Sequence, residues 1–110
     1  MERPVKGDVV VVPFPFSDLS LAKRRPALVL ARLEGDDVIL VQITSLASTD
    51  RYALSVDDAD FAEGGLRKPS RVRPNRIFTA DRSLILYRVG ALRPERTADV
   101  VARVVSILEA

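Results

Sequence analysis

Short apolar runs separated by turn residues constrain the fold of this chain more than any other feature. Four runs are dominated by valine, leucine, isoleucine and alanine: Val9–Val12, Ala27–Ala31, Val38–Ile43 and Ile85–Ala91. Runs of this length between Gly, Pro and Asp residues are typical of strands. The segment Glu34-Gly35-Asp36-Asp37 between the second and third runs predicts a hairpin.

Weaker patterns connect these runs. Further strand segments are predicted at Tyr52–Val56, Ser70–Arg73 and, after Pro74, Asn75–Ala80. Pro13 and Pro15 are predicted to break the first ladder, because proline has no backbone N–H. Irregular structure is predicted for three segments: a loop at Ser17–Arg25, a loop or short turn at Asp57–Gly65, and a turn or single helical turn at Asp81-Arg82-Ser83.

The apolar period changes to a helical one from Pro94 onward. An apolar face is predicted from Ala98, Val101, Val104, Val105 and Leu108, and it is widened by Val100 and Ile107. Pro94 suits the first turn of a helix, and Glu95 and Asp99 lie near the positive end of its dipole. The pattern predicts one domain, residues 1–110: a strongly curved antiparallel sheet or partly open barrel capped by a C-terminal helix.

The composition excludes several kinds of functional site. The chain of 110 residues has no cysteine and no histidine. Disulfides, cysteine zinc sites and every histidine-based nucleophile pair are therefore absent, and an enzyme of this composition must use Arg, Lys, Asp, Glu, Ser, Thr or Tyr. The N-terminus lacks the apolar stretch of a signal peptide, and no run approaches the ~20 apolar residues that span a bilayer. We therefore expect a cytoplasmic protein.

Two basic clusters stand out against a formal net charge of only +2. One is Lys23-Arg24-Arg25, and the other extends from Arg67 to Arg76 without an acid. In a strand, Arg71 and Arg73 share one face while Val72 points into the core. Two adjacent guanidinium groups favour an anionic partner such as a phosphodiester. The alternative is that nearby acids neutralise the second cluster: Asp57, Asp58, Asp60 and Glu63.

Four blocks of the sequence resemble the MazF/PemK family of toxin endoribonucleases. They are GDVVVVPFPFSDLSLAKRRPALVL, VQITS, GLRKPSRVRPNRIFTADRSLI and RVGAL followed by the helix. The resemblance implies a mainly β fold, an SH3-like, CcdB-like small antiparallel barrel with a C-terminal α-helix. It also implies a homodimer that cuts single-stranded RNA without a metal or other cofactor. A cognate antitoxin with an acidic tail is the expected inhibitor.

The resemblance also implies roles for individual residues. The catalytic positions fall on Arg25, Thr44 and Arg73. Further RNA contacts are expected from Lys23, Arg24, Ser45, Arg71, Asn75 and Arg76. Asn75 departs from the PemK branch, which has an aspartate there as the base, and a neutral amide cannot accept a proton as a carboxylate does.

Other interpretations of these residues remain open at this point. Arg25 could stack on the loop or pair with Asp18, and Thr44 could be a turn residue. Phe14 and Phe16 could stack on bases, or they could belong to the core or to a dimer contact. Three other functions are a CcdB-like gyrase inhibitor, a metal-dependent nuclease using the acids of residues 57–63, and an RNA binder without activity.

Overall fold

A computed structural model describes residues 3–15, 22–46 and 50–110 of the protein. Its described part contains seven strands and one α-helix: β1 Asp8–Pro15, β2 Ala22–Arg32, β3 Asp37–Thr44, β4 Leu54–Val56, β5 Phe61–Gly64, β6 Ser70–Asp81, β7 Tyr87–Leu92 and α1 Pro94–Glu109. Single 3₁₀ turns occupy Asp58–Asp60 and Arg82–Leu84.

All seven strands form one antiparallel sheet in the order β4-β6-β3-β2-β1-β7-β5. The sheet curls into a half-barrel, and its two edge strands, β4 and β5, are the shortest. The predicted curved antiparallel sheet with a C-terminal helix is confirmed. The hairpin between β2 and β3 is also confirmed, because Gly35 takes a positive φ of 75° and Leu33 N donates to Asp37 O at 3.0 Å.

Both faces of the central strands are buried. On β1, Val9 packs in one cluster with Leu28 and Val41, whereas Val10 packs in a second cluster with Val29. The curled sheet covers one cluster, and α1 covers the other through Val100 and Val104. This double burial explains why the β1 run is continuously apolar rather than alternating.

The buried face of the helix agrees with the predicted one only in part: Val100 and Val104 are buried as predicted. Its buried residues are Thr97, Val100 and Val104, whereas Val105 and Leu108 are 44% and 72% exposed. The Arg96 side chain donates to Ser55 O at 2.6 Å and connects the first turns of the helix to β4. Within the described residues, no helix has the length and apolar character needed to cross a membrane.

The prediction that Pro13 and Pro15 break the first ladder was wrong. Strand β1 continues to Pro15, and Pro13 lies opposite Arg24 of β2. The carbonyl of Val11 accepts from Leu86 N at 2.8 Å, so alternate residues of β1 direct their polar groups toward the β7 side. The backbone groups of Pro13 and Pro15 point to the same side of β1 as those of Val11. However, β7 begins at Tyr87, opposite Val11, and does not run alongside the two prolines. They therefore remove no ladder hydrogen bond.

The three cations of the first basic cluster lie in a strand rather than in the predicted loop. Pairing with β1 extends β2 back to Ala22 and places Lys23 opposite Phe14 and Arg25 opposite Val12. Residues 16–21, including Phe16 and Asp18, lie outside the described residues. The strand alternation directs Arg24 and Arg25 to opposite faces at this point.

Two other predicted boundaries differ from the structure. The acidic segment after β4 contains a 3₁₀ turn and the short strand β5, which pairs with β7 at Gly64 and Gly90. An added Cβ on Gly64 would lie 2.0 Å from the carbonyl oxygen of Val89, so only glycine permits this close pairing. Strand β6 is continuous, with an irregularity at residues 74–76 where its register with β3 shifts.

Candidate functional site

The sheet register aligns the predicted catalytic residues in adjacent rows. Thr44 lies opposite Arg71, and continuing the β2–β3 register by two residues places Arg25 opposite Thr44. In the next row, Gln42 lies opposite Arg73. Because residues two apart share a face, these side chains start from one face of three neighbouring strands. The sheet thus brings Arg25, Thr44 and the β6 arginines together from distant parts of the sequence.

A groove of about 640 Å³ opens beside these rows. Its polar and aromatic lining comes from Arg24, Arg25, Thr44, Ser45, Arg67, Lys68, Ser70 and Tyr87. Four of these side chains are cationic, and no acidic side chain of the described residues lines the groove. The groove joins Arg24 and Arg25 of the first basic cluster to Arg67 and Lys68 of the second, whereas the β6 arginines do not line it. Its charge and length suit an extended anionic ligand.

Thr44 and Arg71 hold the turn that follows β3. Thr44 is 7% exposed, and its Oγ1 accepts from Leu46 N at 3.1 Å. Arg71 Nη1 donates to Leu46 O at 3.2 Å. Thr44 therefore has the hydrogen bond of a turn residue, as one interpretation of the sequence predicted. Its hydroxyl hydrogen remains a donor in addition to this contact, so the turn role is compatible with a role in the groove.

Arg73 contacts a carboxylate that comes from the connection between β3 and β4. Its Nε lies 3.2 Å from Oδ2 of Asp50, whose side chain is only 8% exposed. Burial alone would raise the pKa of the Asp50 carboxyl. The backbone N–H of Tyr52, the Arg73 guanidinium and the Asn75 amide donate hydrogen bonds that instead hold this pKa below its usual value. Asp50 is therefore an ionised, hydrogen-bonded carboxylate at neutral pH.

Arg76 and Lys23 lie away from the first groove. Arg76 lines a second groove of about 410 Å³, together with Gln42, Phe14, Phe78 and Leu84. The rings of Phe14 and Phe78 meet edge to face, with centroids 4.7 Å apart. Lys23 is exposed on β2, opposite Phe14. Neither cation therefore lines the groove that Arg25 and Thr44 share, although Lys23 has the same strand alternation as Arg25.

Among the described residues, the acids of residues 57–63 form no ion pair with the second basic cluster, although Asp57 and Asp58 line a small cavity together with Arg67 and Lys68. Asp57 accepts from Ala59 N at 3.0 Å and caps the 3₁₀ turn. Asp60 pairs with Arg96 at 3.7 Å, and Glu63 pairs with Arg88 at 3.2 Å. Within the described ranges, no group of three or more acids is placed to hold a metal ion.

Three residues of this region were not predicted from the sequence. Asp50 is separated by 23 positions from Arg73, so no local pattern connects them. Gln42 is a polar residue inside an apolar run, and this was an available signal of a functional face. Tyr87 is 48% exposed at the start of β7 and lines the first groove. Asp81, which was predicted to lie in a turn, caps the second 3₁₀ turn, where hydrogen bonds from Ser83 lower the pKa of its carboxyl.

Comparisons with known proteins agree with this architecture. A family model described as PemK-like, MazF-like toxin of type II toxin-antitoxin system matches residues 5–108. MazF (Form-I) from Deinococcus radiodurans is similar over 100% of both chains, with 21% identity and a TM-score of 0.77. An endoribonuclease in complex with its cognate antitoxin from a mycobacterial species is similar over 96% of this chain and 95% of that chain, with 15% identity and a TM-score of 0.75.

A third solved structure, Mycobacterium tuberculosis toxin MazF-mt6, is similar over 93% of this chain and 96% of that chain, with 19% identity and a TM-score of 0.72. No curated protein matches the chain by sequence. The three structural likenesses lie below 25% identity and concern the fold. They confirm the fold that the sequence resemblance implied.

Proposed function

Because the chain belongs to the PemK-like, MazF-like family of toxins of type II toxin–antitoxin systems, we propose that it is an endoribonuclease that cuts single-stranded RNA. The groove that joins Arg25 and Thr44 to Arg24, Arg67 and Lys68 carries this proposal. Several proteins of the same fold are named as endoribonucleases. Cleavage at short single-stranded sequences by this chain is the proposed activity.

The proposed reaction takes its nucleophile from the RNA itself. The 2′-oxygen attacks the adjacent phosphorus, and the bond to the 5′-oxygen of the next nucleotide breaks. The products are a 2′,3′-cyclic phosphate and a 5′-hydroxyl, and the proton lost by the 2′-hydroxyl is balanced by one gained by the leaving oxygen. The protein must align these atoms and stabilise charge on the phosphate, and neither task requires a metal or a cofactor.

Arg25 is the proposed stabiliser of the phosphate in the transition state. Its guanidinium carries a positive charge and several N–H donors, and it is not an ordinary base. We assign it the role of charge stabiliser and proton donor to the leaving oxygen. Thr44 orients the phosphate or the 2′-hydroxyl, and Arg73 supplies a second guanidinium from the adjacent row.

The remaining cations are proposed to hold the RNA strand on either side of the cleaved bond. Arg24, Arg67 and Lys68 contact phosphates within the groove, together with Ser45. Lys23, Arg71, Asn75 and Arg76 extend this contact surface along β2 and β6. Tyr87 is placed to stack on a base, since aromatic side chains in basic grooves bind unstacked bases.

A homodimer is part of the proposal. The second groove presents apolar side chains next to the site: Ile77 is 40% exposed and Leu84 is 48% exposed, and both lie beside the Phe14–Phe78 pair. We propose that a second copy of the chain covers this surface, with Arg76 at its margin. Sedimentation of wild type and Ile77→Asp tests this, and a monomeric wild type at micromolar concentration would contradict it.

The proposed inhibitor is the acidic tail of a cognate antitoxin. A disordered acidic peptide would pair with the same cations as the RNA backbone does, so the two ligands would exclude each other. RNA cleavage that persists in a complex saturated with antitoxin would contradict this competition.

The decisive experiment is cleavage of a long single-stranded RNA in EDTA, comparing wild type with Arg25→Ala. We expect wild type to produce cyclic phosphate ends and Arg25→Ala to lose at least ~10²-fold in rate, the usual cost of removing one stabilising donor. Arg82→Ala is the matched control, because Arg82 forms an exposed pair with Asp36 away from the groove. Loss of cutting in EDTA would favour a metal-dependent nuclease, and binding without cutting would favour an inactive RNA binder.

A further inference from the structure

We infer that Asp50, from the β3–β4 connection, is the positioning residue that holds the Arg73 side chain in place. The inference rests on the proposed function, because the catalytic role of Arg73 belongs to that proposal. Asp50 acts through Arg73 and does not itself contact the RNA.

The contacts of Asp50 fix the orientation of the Arg73 side chain. The Asp50 carboxylate accepts from Tyr52 N at 2.9 Å through Oδ1 and from Arg73 Nε at 3.2 Å through Oδ2. The Tyr52 contact anchors the carboxylate to the backbone, so the position of Oδ2 is fixed before an arginine binds it. Because Nε–H and one terminal nitrogen share an edge of the planar guanidinium, the contact through Nε turns that edge toward Asp50 and the other terminal nitrogen away from it. The outward nitrogen is the donor that we assign to a phosphate.

Asp50 is suited to hold a cation and unsuited to act as the base. It is ionised at neutral pH, it is nine-tenths buried, and both of its oxygens already accept hydrogen bonds. A carboxylate stabilised in this way has little tendency to take a proton from a 2′-hydroxyl. The negative charge of Asp50 offsets the positive charge of Arg73. This matters because Arg71 lies on the same face of β6 as Arg73.

Asn75 is the third member of this cluster, together with Asp50 and Arg73. Its side chain donates a hydrogen bond to Asp50, which a carboxylate at the same position could not do. An aspartate at position 75 would instead place a second negative charge next to Asp50, and like charges in one site oppose each other. The two positions therefore form an acceptor and donor pair around Arg73, and the carboxylate is required on only one of them.

This arrangement matters because Arg73 lies in the row next to Thr44. Gln42 and Arg73 are opposite each other, and Thr44 and Arg71 form the following row on the same face. A guanidinium that is displaced by about 1 Å at such a site typically costs ~10²-fold in rate. A large part of the contribution of Arg73 to the reaction rate therefore depends on its being held in position.

The test moves the carboxylate from position 50 to position 75 and compares each variant with the wild-type protein. Asp50→Asn should lower kcat by about 10- to 100-fold with little change in KM, and Asn75→Asp alone should also lower activity because two carboxylates then adjoin. The double variant Asp50→Asn/Asn75→Asp returns one carboxylate to Arg73 and should recover most of the loss. Asp36→Asn, which removes the carboxylate of the exposed Arg82 pair, is the matched control and should retain wild-type activity.

A spectroscopic measurement separates positioning from loss of folding. The Arg73 Nε–H resonance should be resolved and slow to exchange in wild type, absent in Asp50→Asn, and restored in the double variant. Each variant is compared at an equal folded fraction, measured by thermal unfolding.

The outcomes separate this inference from the proposed function. If wild type cuts RNA and Asp50→Asn cuts equally well, the positioning role is overturned while the nuclease function stands. If the single variant loses activity and relocation does not restore it, Asp50 has only a local structural role and the inference is again overturned. If wild type cuts no RNA, the proposed function fails, and the assigned role of Asp50 fails with it.

Discussion

Tyr87 and Arg88 are neighbours on β7 and point to opposite faces of the sheet, where the charge is arranged in opposite ways. On the Arg88 face, the guanidinium is held by two acids: its Nε lies 3.1 Å from Asp8 Oδ1, and its Nη2 lies 3.2 Å from Glu63 Oε1. The hydrogen bonds of Glu63 and then Asp8 raise the pKa of Arg88. On the Tyr87 face, the groove contains Arg24, Arg67 and Lys68 without an acidic side chain among its described lining residues.

The difference shows which cations stabilise the fold and which are available to a ligand. Asp8 also accepts from Val5 N at 2.9 Å, so the Arg88 cluster fastens the segment that leads into β1. Its charges are satisfied within the chain. Arg24, Arg67 and Lys68 form no ion pair with any residue that the structure describes, so their charges attract an external anion.

The largest expected effect follows from neutralising the groove. The triple variant Arg24→Gln/Arg67→Gln/Lys68→Gln should bind single-stranded RNA about 100-fold more weakly at low salt, because three charge-assisted phosphate contacts are lost. The slope of log affinity against log salt should fall by about 2, at ~0.7 per charge on a single strand. Fluorescence anisotropy of labelled RNA across a salt series measures both quantities.

The control for the groove variant has the same loss of charge elsewhere. Lys6, Arg32 and Arg82 are exposed and do not line the groove. Arg32 lies at the far end of β2, about 27 Å from Arg24 at ~3.4 Å per residue. Changing these three residues to glutamine should leave RNA affinity within about threefold of wild type, in accordance with screening beyond a Debye length of ~8 Å. Equal losses in both triple variants would show that only net charge matters.

The cluster of Arg88, Asp8 and Glu63 should respond in stability instead of RNA binding. Asp8→Asn should lower the free energy of unfolding by about 2 kcal/mol, because hydrogen bonds to a charged partner in a buried position are worth ~1.5–3 kcal/mol. RNA affinity per folded molecule should not change. Urea denaturation and anisotropy on the same sample measure the two quantities, and a loss of affinity at unchanged stability would reverse the assignment of the faces.

The central strands were predictable because their side-chain pattern is local, whereas the errors depend on neighbours distant in sequence. The effect of Pro13 depends on where β7 ends, which no local pattern specifies. Lys23 to Arg25 belong to a strand because β1 pairs with them. Strand β5 depends on contact between Gly64 and Gly90, where an added Cβ on Gly90 would lie 2.3 Å from Glu63 O.

The site was predictable to a similar extent and for similar reasons. The shared face of Arg71 and Arg73 follows from the period of a strand, and it is confirmed by burial of Val72 between them. The position of Arg76 in the second groove depends on the irregularity at residues 74–76, which sequence period does not reveal. Asp50 is brought to Arg73 only by the path of the chain after β3.

The Asp50 pair should reveal itself through the pH dependence of stability. Hydrogen bonds and the Arg73 charge lower the pKa of Asp50 below its ordinary value of 3.8, despite the opposing effect of burial. A depressed pKa stabilises the folded state above the unfolded value, and this stabilisation is lost as the pH falls through the folded value. The difference in unfolding free energy between wild type and Asp50→Asn should therefore be constant from pH 8 to about pH 5. It should shrink below pH 3.8, and a difference that grows there would contradict the ion pair.

The smallest effect is expected from the second partner of Arg88. Glu63 has a side chain that is 65% exposed, in contrast to 8% for Asp8. An exposed ion pair is screened by solvent and loses side-chain entropy, so Glu63→Gln should lower the free energy of unfolding by no more than about 0.5 kcal/mol. The loss should vanish in 1 M NaCl, whereas that of Asp8→Asn should persist, because buried pairs are screened much less. Urea denaturation of both variants at low and high salt measures this difference. If both variants lose the same free energy of unfolding, exposure does not decide how strongly each carboxylate binds Arg88. Glu63 would then neutralise the Arg88 charge as much as Asp8 does.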